Sequence, residues 1–196
     1  MVVKFVDMLI NYEILDESCR EQYIYALTLR MEQVFTYSVL LVIAIITQKV
    51  MRGMVYAISF VLLRKTTGGF HAKTFVECLL GTSIMFIFIL ELVAPFLGNH
   101  MFAESLLLLC SVICIIKFAP VNHPNLALTT EEKSRHKKWS RFVLSLELIF
   151  IIIGMFLEMD WQQYIILGII TCAVFIIIAK FIEQEVIDNE EGKQEK

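Results

Sequence analysis

Apolar residues along this chain are gathered into six runs that are separated by short polar segments. A run of this kind is typical of a transmembrane helix, which needs about 20 mostly apolar residues to cross a bilayer. The pattern therefore predicts an all-α, polytopic integral membrane protein. Its predicted spans are residues 34–48, 53–63, 79–97, 101–119, 142–157 and 164–182.

The second run is too short to cross a membrane by itself. Gly53 to Leu63 offers roughly 11 apolar residues, which rise about 16 Å as a helix, whereas the hydrocarbon core is about 30 Å thick. Three solutions remain open. The helix can extend into its polar flanks, lie inside the bundle, or meet a locally thin membrane.

The two ends of the chain differ from the apolar runs. In residues 1–33 apolar positions recur at roughly helical spacing between charges, which predicts amphipathic helices. These helices either lie on the inner membrane surface or pack on the protein's own spans. Residues 183–196 form a charged tail with few apolar residues to bury. We expect a single membrane domain over residues 1–196, with its bundle at 34–182.

Composition supports a lipid bilayer as a partner and argues against nucleic acid. The chain is 58% hydrophobic and 19% charged, whereas soluble domains are about 45–50% apolar and about 25% charged. The net charge is −3, and no basic stripe dominates the sequence.

Of five cysteines, Cys110 and Cys114 share one helix face. A metal pair is conceivable there, but nothing nearby completes a site, so core packing is expected and no metal or cofactor is predicted.

Lysine and arginine predict the orientation, since cytoplasmic loops are enriched in them. The stretch 64–73 and the loop 117–141 are rich in these residues, whereas the connections at 98–100 and 158–161 contain none. Six spans in the cell membrane, with both termini on the cytoplasmic side, satisfy this bias. Lys49 and Arg52 are exceptions, because they fall on the outer side.

The polar stretch 64–78 contains a candidate catalytic pair, His71 and Cys78. Cysteine as nucleophile with histidine as base can cleave a peptide bond without a metal or cofactor. Thr74 and Glu77 form a capping-box pattern that places Cys78 near the start of the third span. A helix N-terminus stabilises the thiolate. Neighbouring Glu77 opposes this effect, so His71 and Lys73 are expected to contribute.

His71 cannot belong to the same regular helix as Cys78. Seven helical residues rise about 10.5 Å, whereas proton transfer needs heavy atoms about 2.6–3.2 Å apart. Gly68 and Gly69 supply the backbone freedom for a turn that folds His71 back over the helix start.

Two interpretations without catalysis compete with the proposed His71 and Cys78 pair. The histidine and the cysteine can be incidental, with the glycines merely ending a helix. The chain can also be a small transporter or peptide export component, in which Glu91, Glu147 and the basic loops line a path. Carboxylates inside a span are costly and tend to face protein or a cavity.

Two motifs resemble those of the accessory gene regulator B (AgrB) membrane endopeptidases. The first is Arg64, Gly69-Phe70-His71-Ala72 and Cys78, and the second is the Ala-Pro segment that begins at Ala119-Pro120. Length and span pattern agree over nearly the whole chain. His123 departs from the pattern, since relatives often have a small polar residue at that position.

This resemblance implies a cysteine endopeptidase that needs no cofactor and acts on an AgrD-like propeptide. His71 would deprotonate Cys78, which would cut off the acidic tail of the propeptide. The resulting thioester would then close into a lactone or thiolactone signal for quorum sensing. A homodimer is compatible with the resemblance and with the short second span.

Further residues are candidates for supporting roles. Glu77, Gln33 and Glu32 could orient His71, and Glu77 could instead serve only as a helix cap. Lys133, Arg135, Lys137 and Lys138 could attract the acidic tail or simply mark the cytoplasmic side. The supporting or substrate-binding set is Gly68, Gly69, Arg64, Lys73, Glu77, Gln33 and Pro120.

Overall fold

The protein, described here from a computed structural model, is a bundle of helices. The structure describes residues 2–12, 14–68, 74–121 and 129–181, and these contain no β-strand. The helices are α1 (Val2–Asn11), α2 (Arg20–Ile46), α3 (Val50–Thr67), α4 (Phe75–Phe88), α5 (Ala94–Gly98), α6 (Met101–Phe118), α7 (Thr130–Phe156) and α8 (Gln162–Phe181). A π-helical segment, Ile89–Val93, joins α4 to α5. The predicted all-α class is confirmed.

Five helical segments of the described chain are long and apolar enough to cross a membrane. They are Glu17–Ile46, Phe75–Gly98, Met101–Phe118, Thr130–Phe156 and Gln162–Lys180. Large apolar side chains on α2, α4, α6 and α7 remain exposed on the outside of the bundle. A surface of that kind is suited to lipid, so the chain is a multi-pass membrane protein.

The second predicted span, α3, combines two of the three solutions open to it. It extends beyond the apolar run at both ends, and its 18 residues rise about 27 Å. It also lies inside the bundle, where Tyr56, Ser59 and Leu63 are buried. Its cations Arg52, Arg64 and Lys65 distinguish it from the five apolar segments. Neighbouring helices cover one face of α3, whereas Met54, Ile58 and Leu62 on the other face are exposed.

Helix α8 is the centre of the bundle. In its most apolar window 61% of the residues are buried, compared with 11% for α2. One apolar cluster joins it to α3, α6 and α7, and a second joins it to α2, α3 and the α4–α5 segment. A helix that is apolar on all sides is expected to be enclosed in this way.

Helices α3 and α8 approach closely because one contact residue is a glycine. A Cβ atom at Gly168 would collide with the Ser59 hydroxyl. The Ser59 hydroxyl donates to the Ile165 carbonyl at 3.3 Å, and the Tyr56 hydroxyl donates to Thr171 Oγ1 at 3.3 Å. Small and hydroxyl-bearing residues are typical of helix contacts in membranes.

Consecutive helices α2, α3 and the α4–α5 segment alternate in direction. Gly53, near the start of α3, faces Ala44 near the end of α2 and Leu90 late in the α4–α5 segment. At the other end, Gly68 pairs with Val121 after α6.

The location of Lys49 and Arg52 on the outer side of the membrane stays a prediction. Both nevertheless have acidic partners, because Lys49 pairs with Glu91 at 2.9 Å and Arg52 with Asp160 at 3.6 Å.

Two helices begin earlier than the apolar runs predicted. Helix α2 starts at Arg20 rather than near residue 34, and α7 starts at Thr130 rather than at Phe142. Neither added stretch contains glycine or proline, and polar helix formers such as Glu, Lys and Arg let each helix continue out of its apolar part. Part of the polar segment predicted between the fourth and fifth spans is therefore helical.

The amphipathic N-terminal helix α1 packs against α2. Val6 is buried, and Arg20 Nε donates to Asp7 Oδ1 at 2.7 Å. This bond and the Asp7 charge raise the pKa of Arg20. Val3, Phe5 and Met8 nevertheless stay exposed, so packing on α2 leaves an apolar face available to the membrane surface.

Candidate functional site

Cys78 lies on the first turns of α4, and its side chain is exposed. Thr74 caps the helix: its hydroxyl accepts from the Glu77 backbone N–H, and the Glu77 carboxylate accepts from the Thr74 backbone N–H, both at 3.3 Å. The predicted capping box is therefore confirmed. It fixes the position of the Cys78 thiol at a helix N-terminus, the positive end of the helix dipole.

The other half of the predicted pair lies outside the described residues. His71, Gly69 and Lys73 fall in the stretch 69–73, between the described residues Gly68 and Thr74. The turn expected to fold His71 back over the start of α4 stays a prediction.

Arg64, in the last turn of α3, is held in place by two contacts. Its Nη1 donates to the Gly68 carbonyl at 2.7 Å, and its guanidinium lies 4.9 Å from the centre of the Phe175 ring on α8. Its guanidinium is close enough to the side chains of Cys172 and Cys78 for electrostatic interaction. Arg64 therefore belongs to the surroundings of Cys78.

Gly68 joins the two sequence motifs in space. It ends α3 with φ = 68°, a conformation that favours glycine, and it forms an isolated parallel bridge with Val121. The Val121 N–H donates to the Thr67 carbonyl at 2.9 Å. A Cβ atom at Gly68 would collide with the Val121 carbonyl oxygen. The chain after α3 and the chain after α6 therefore meet here.

Pro120 is buried beside this bridge. The peptide bond between Ala119 and Pro120 is cis. Thr67, on the other side of the bridge, is fully buried, and its hydroxyl lies 3.1 Å from the Cys172 sulfur. Thr67 and Cys172 are absent from the residues that the sequence predicts for the site. A buried threonine at the end of a helix carries no local signal of a partner about a hundred positions away.

The α2 segment near Gln33 lies beside the start of α4. The Phe35 and Phe75 rings are 6.0 Å apart. Gln33 lies about 200° around the helix from Phe35, is exposed, and accepts from Arg30 at 3.3 Å. Glu32, about 60° from Phe35, lies nearer to the side of α2 that faces α4.

The two carboxylates inside spans have different environments. Glu91 pairs with Lys49, far from Cys78 along the α4–α5 segment. Glu147 is buried in α7 and faces Ser59 of α3. Neither of its carboxylate oxygens has a partner with hydrogen-bond geometry in the described part of the chain.

The cysteines on α6 do not face a common ligand. Cys114 is buried and its sulfur points to the Ala173 carbonyl on α8 at 4.0 Å, whereas Cys110 is exposed. Among residues 2–12, 14–68, 74–121 and 129–181 there is no group of three His, Cys, Asp or Glu side chains that could hold a metal ion.

Comparison with known proteins gives the family. The family model described as Accessory gene regulator B matches residues 2–182. The chain belongs to the accessory gene regulator B family. This AgrB-family protein is also 28% identical over 152 residues to a protein of Halalkalibacterium halodurans whose name describes it as AgrB-like, covering 78% of this chain and 73% of the relative. No solved structure matches the chain.

Membership confirms the resemblance drawn from the two motifs. The AgrB family acts in the processing of quorum-sensing propeptides, so an AgrD-like propeptide is the partner in general terms. In this AgrB-family protein, Arg64, Cys78 and the Ala119-Pro120 segment are described, whereas His71 and His123 lie in the undescribed stretches 69–73 and 122–128.

Proposed function

We propose that this AgrB-family protein is a membrane cysteine endopeptidase, with Cys78 as nucleophile and His71 as base. The observation that carries the proposal is the position of Cys78. It is exposed at the capped start of α4, near the positive charge of Arg64. An accessible thiol in an electropositive setting is what a cysteine nucleophile needs.

The reaction begins with transfer of the Cys78 proton to His71. The thiolate attacks the carbonyl carbon that joins the signal segment of the propeptide to its tail. The C–N bond between this carbonyl carbon and the tail breaks, and the amine of the tail takes the proton from His71. The signal segment remains as a thioester on Cys78.

Ring closure follows by attack of a cysteine or serine inside the bound signal segment. Its sulfur or oxygen forms the new bond, and the Cys78 sulfur leaves and regains a proton. Hydrolysis would discard the activated bond, so closure requires a nucleophile held close and little water. The start of α4, where the chain enters its apolar run, suits both needs.

Other residues support this pair. Arg64 places a positive charge near Cys78, and Gly68 holds α3 against the Ala119-Pro120 segment. Glu77 acts through its helix cap, while Gly69, Lys73 and Gln33 remain candidates for substrate contact. Arg135 and Lys138, both exposed on α7, are placed to attract an acidic tail. The cation-rich segments support a cytoplasmic location for the site and both termini.

The test is cleavage of the cognate propeptide by full-length variants in membranes. Cys78→Ala and His71→Ala should each reduce cleavage by about 10³-fold or more, since removal of either member of such a pair is severe. Cys110→Ala is the matched control, because Cys110 is an exposed cysteine on α6, and it should cleave normally.

A second arm traps the intermediate. A propeptide whose internal nucleophile is replaced by alanine should accumulate as an adduct on Cys78 that hydroxylamine releases. Normal cleavage by Cys78→Ala would contradict the proposal. If Glu147→Gln stopped production of the signal while Cys78→Ala did not, the transporter alternative would replace it.

A further inference from the structure

Four lysines converge on one cavity at the end of the bundle that carries Val121. The cavity has a volume of about 450 Å³ and lies between α6, α7 and α8. Its lysines are Lys117, Lys133, Lys137 and Lys180. Along the sequence, most of these cations belong to a single basic loop. The structure gathers them from three helices around one space.

The lysines from α7 lie on the side of the helix that faces the bundle. Lys133 and Lys137 are one turn apart. The same face of α7 also carries the buried residues Ser140, Leu144 and Glu147. A positive charge that served only to orient the protein in the membrane could lie anywhere around the helix. Lys133 is partly buried and Lys137 is exposed, and both line the cavity. Their position on this face of α7 therefore favours a binding role.

The lysines from α6 and α8 are held by an aromatic ring. The Nζ of Lys180 lies 4.4 Å, and that of Lys117 5.4 Å, from the centre of the Phe118 ring. Cation–π contact at this range is attractive. Both lysines also lie in the last turn of their helices, where the backbone dipoles favour a cation. The cavity is thus an organised cluster of ammonium groups.

We propose that this cavity binds the phosphate headgroup of an anionic phospholipid. Clusters of lysine at the membrane boundary, between transmembrane helices, are typical sites for such headgroups. The volume is large enough for a phosphate with its glycerol, since one water occupies only about 30 Å³. Thr130 and Ser134 add hydroxyl donors to the lining. This cavity adjoins the proposed protease site, because Ala119 and Pro120 line it, but lipid binding there does not depend on the protease reaction.

The surroundings favour a lipid over a free anion. Next to Lys117, Ile113 and Ile116 on α6 are 55% and 44% exposed, which gives acyl chains an apolar surface beside the cavity. The cavity floor is also partly apolar, since Phe118, Ala119 and Pro120 line it. A free phosphate would use none of this apolar surface.

The experiment is native mass spectrometry of the full-length protein in detergent with cardiolipin, phosphatidylglycerol and phosphatidylcholine. The double variant Lys133→Gln/Lys137→Gln should lose about tenfold in affinity for the two anionic lipids. The matched control, Arg135→Gln/Lys138→Gln, removes the same charge from residues of α7 that do not line the cavity. It should change the affinity less than about twofold, because salt screens remote exposed charges.

Several outcomes would overturn the proposal. One is equal loss of affinity in both double variants, and another is equal affinity for phosphatidylcholine. Saturation by inorganic phosphate at the same concentration as the lipid would show a small-anion site instead. Stronger competition by an acidic peptide than by cardiolipin would assign the cavity to a peptide. Lys117→Gln, a single change on another helix, checks that the loss does not come from disruption of α7.

Discussion

At the scale of single residues, Cys78 and Arg64 are placed by different kinds of structure. The capping box at Thr74 and Glu77 positions Cys78 through contacts within four residues. Arg64 instead depends on the Gly68 carbonyl and on Phe175 of α8. The charge near the thiol therefore depends on the packing of α3 against α8, whereas the helix terminus does not.

Replacing Arg64 by lysine should reduce propeptide cleavage by about tenfold, the scale of one lost hydrogen bond from a charged group. Lysine keeps the charge but cannot stack on Phe175 and reach the Gly68 carbonyl with one planar group. The matched control is Lys65→Arg at the exposed neighbour, which should leave cleavage unchanged. The measurement is the rate of cleavage at equal protein in membranes, and an active Arg64→Lys variant would argue that charge alone suffices.

At the scale of elements, capping determines where helices begin. Both α4 and α7 start with a threonine followed three residues later by a glutamate, and both form the capping box. In α7 the bonds from the Thr129 backbone N–H and hydroxyl lower the pKa of Glu132. This local signal lies 13 residues before the apolar run of α7, which explains why hydropathy placed the start of the helix too late.

The first turn of α7 should loosen in acid. Because the folded pKa of Glu132 is below its ordinary value of 4.5, its capping contribution is present above that pH and is lost as pH falls through the lowered pKa. Backbone chemical shifts of residues 130–133, followed by NMR between neutral pH and pH 3, would measure this loss. Glu132→Gln still accepts a hydrogen bond but does not titrate, so its first turn should lose this pH dependence. An unchanged profile in that variant would refute the assignment.

At the scale of the whole molecule, the bundle is built around α8. Its contact with α3 requires Gly168, whose missing side chain admits Ser59. The hydroxyl groups of Tyr56 and Ser59 on α3 thereby find partners in α8, and a helix with three cations is packed on one face into the bundle.

Gly168→Ala should destabilise the protein by about 1–3 kcal/mol, since the added methyl group forces α3 away from α8. Gly81→Ala is the control: Gly81 is also inside a helix, but a Cβ there would meet nothing within 4 Å. Gly81→Ala should therefore be neutral or stabilising by up to about 1 kcal/mol, through helix propensity. Thermal unfolding in detergent compares the two, and equal effects would show that the contact of α3 with α8 tolerates a side chain.

The sequence by itself determined the membrane class, the helical character of each apolar run and the capped helix start at Cys78. These features depend on hydropathy and on contacts within a few residues, so they can be predicted without knowing how the helices pack. It also supplied the family, through two motifs that the chain separates by about forty residues.

Only the tertiary structure decided which distant segments meet. Gly68 touches Val121, Arg64 stacks on Phe175, and four lysines from three helices surround one cavity. Each of these arrangements depends on which faces of the helices pack together. In a bundle whose helices are apolar on most sides, hydropathy alone does not specify those faces; small residues such as Gly168 and buried hydroxyls do.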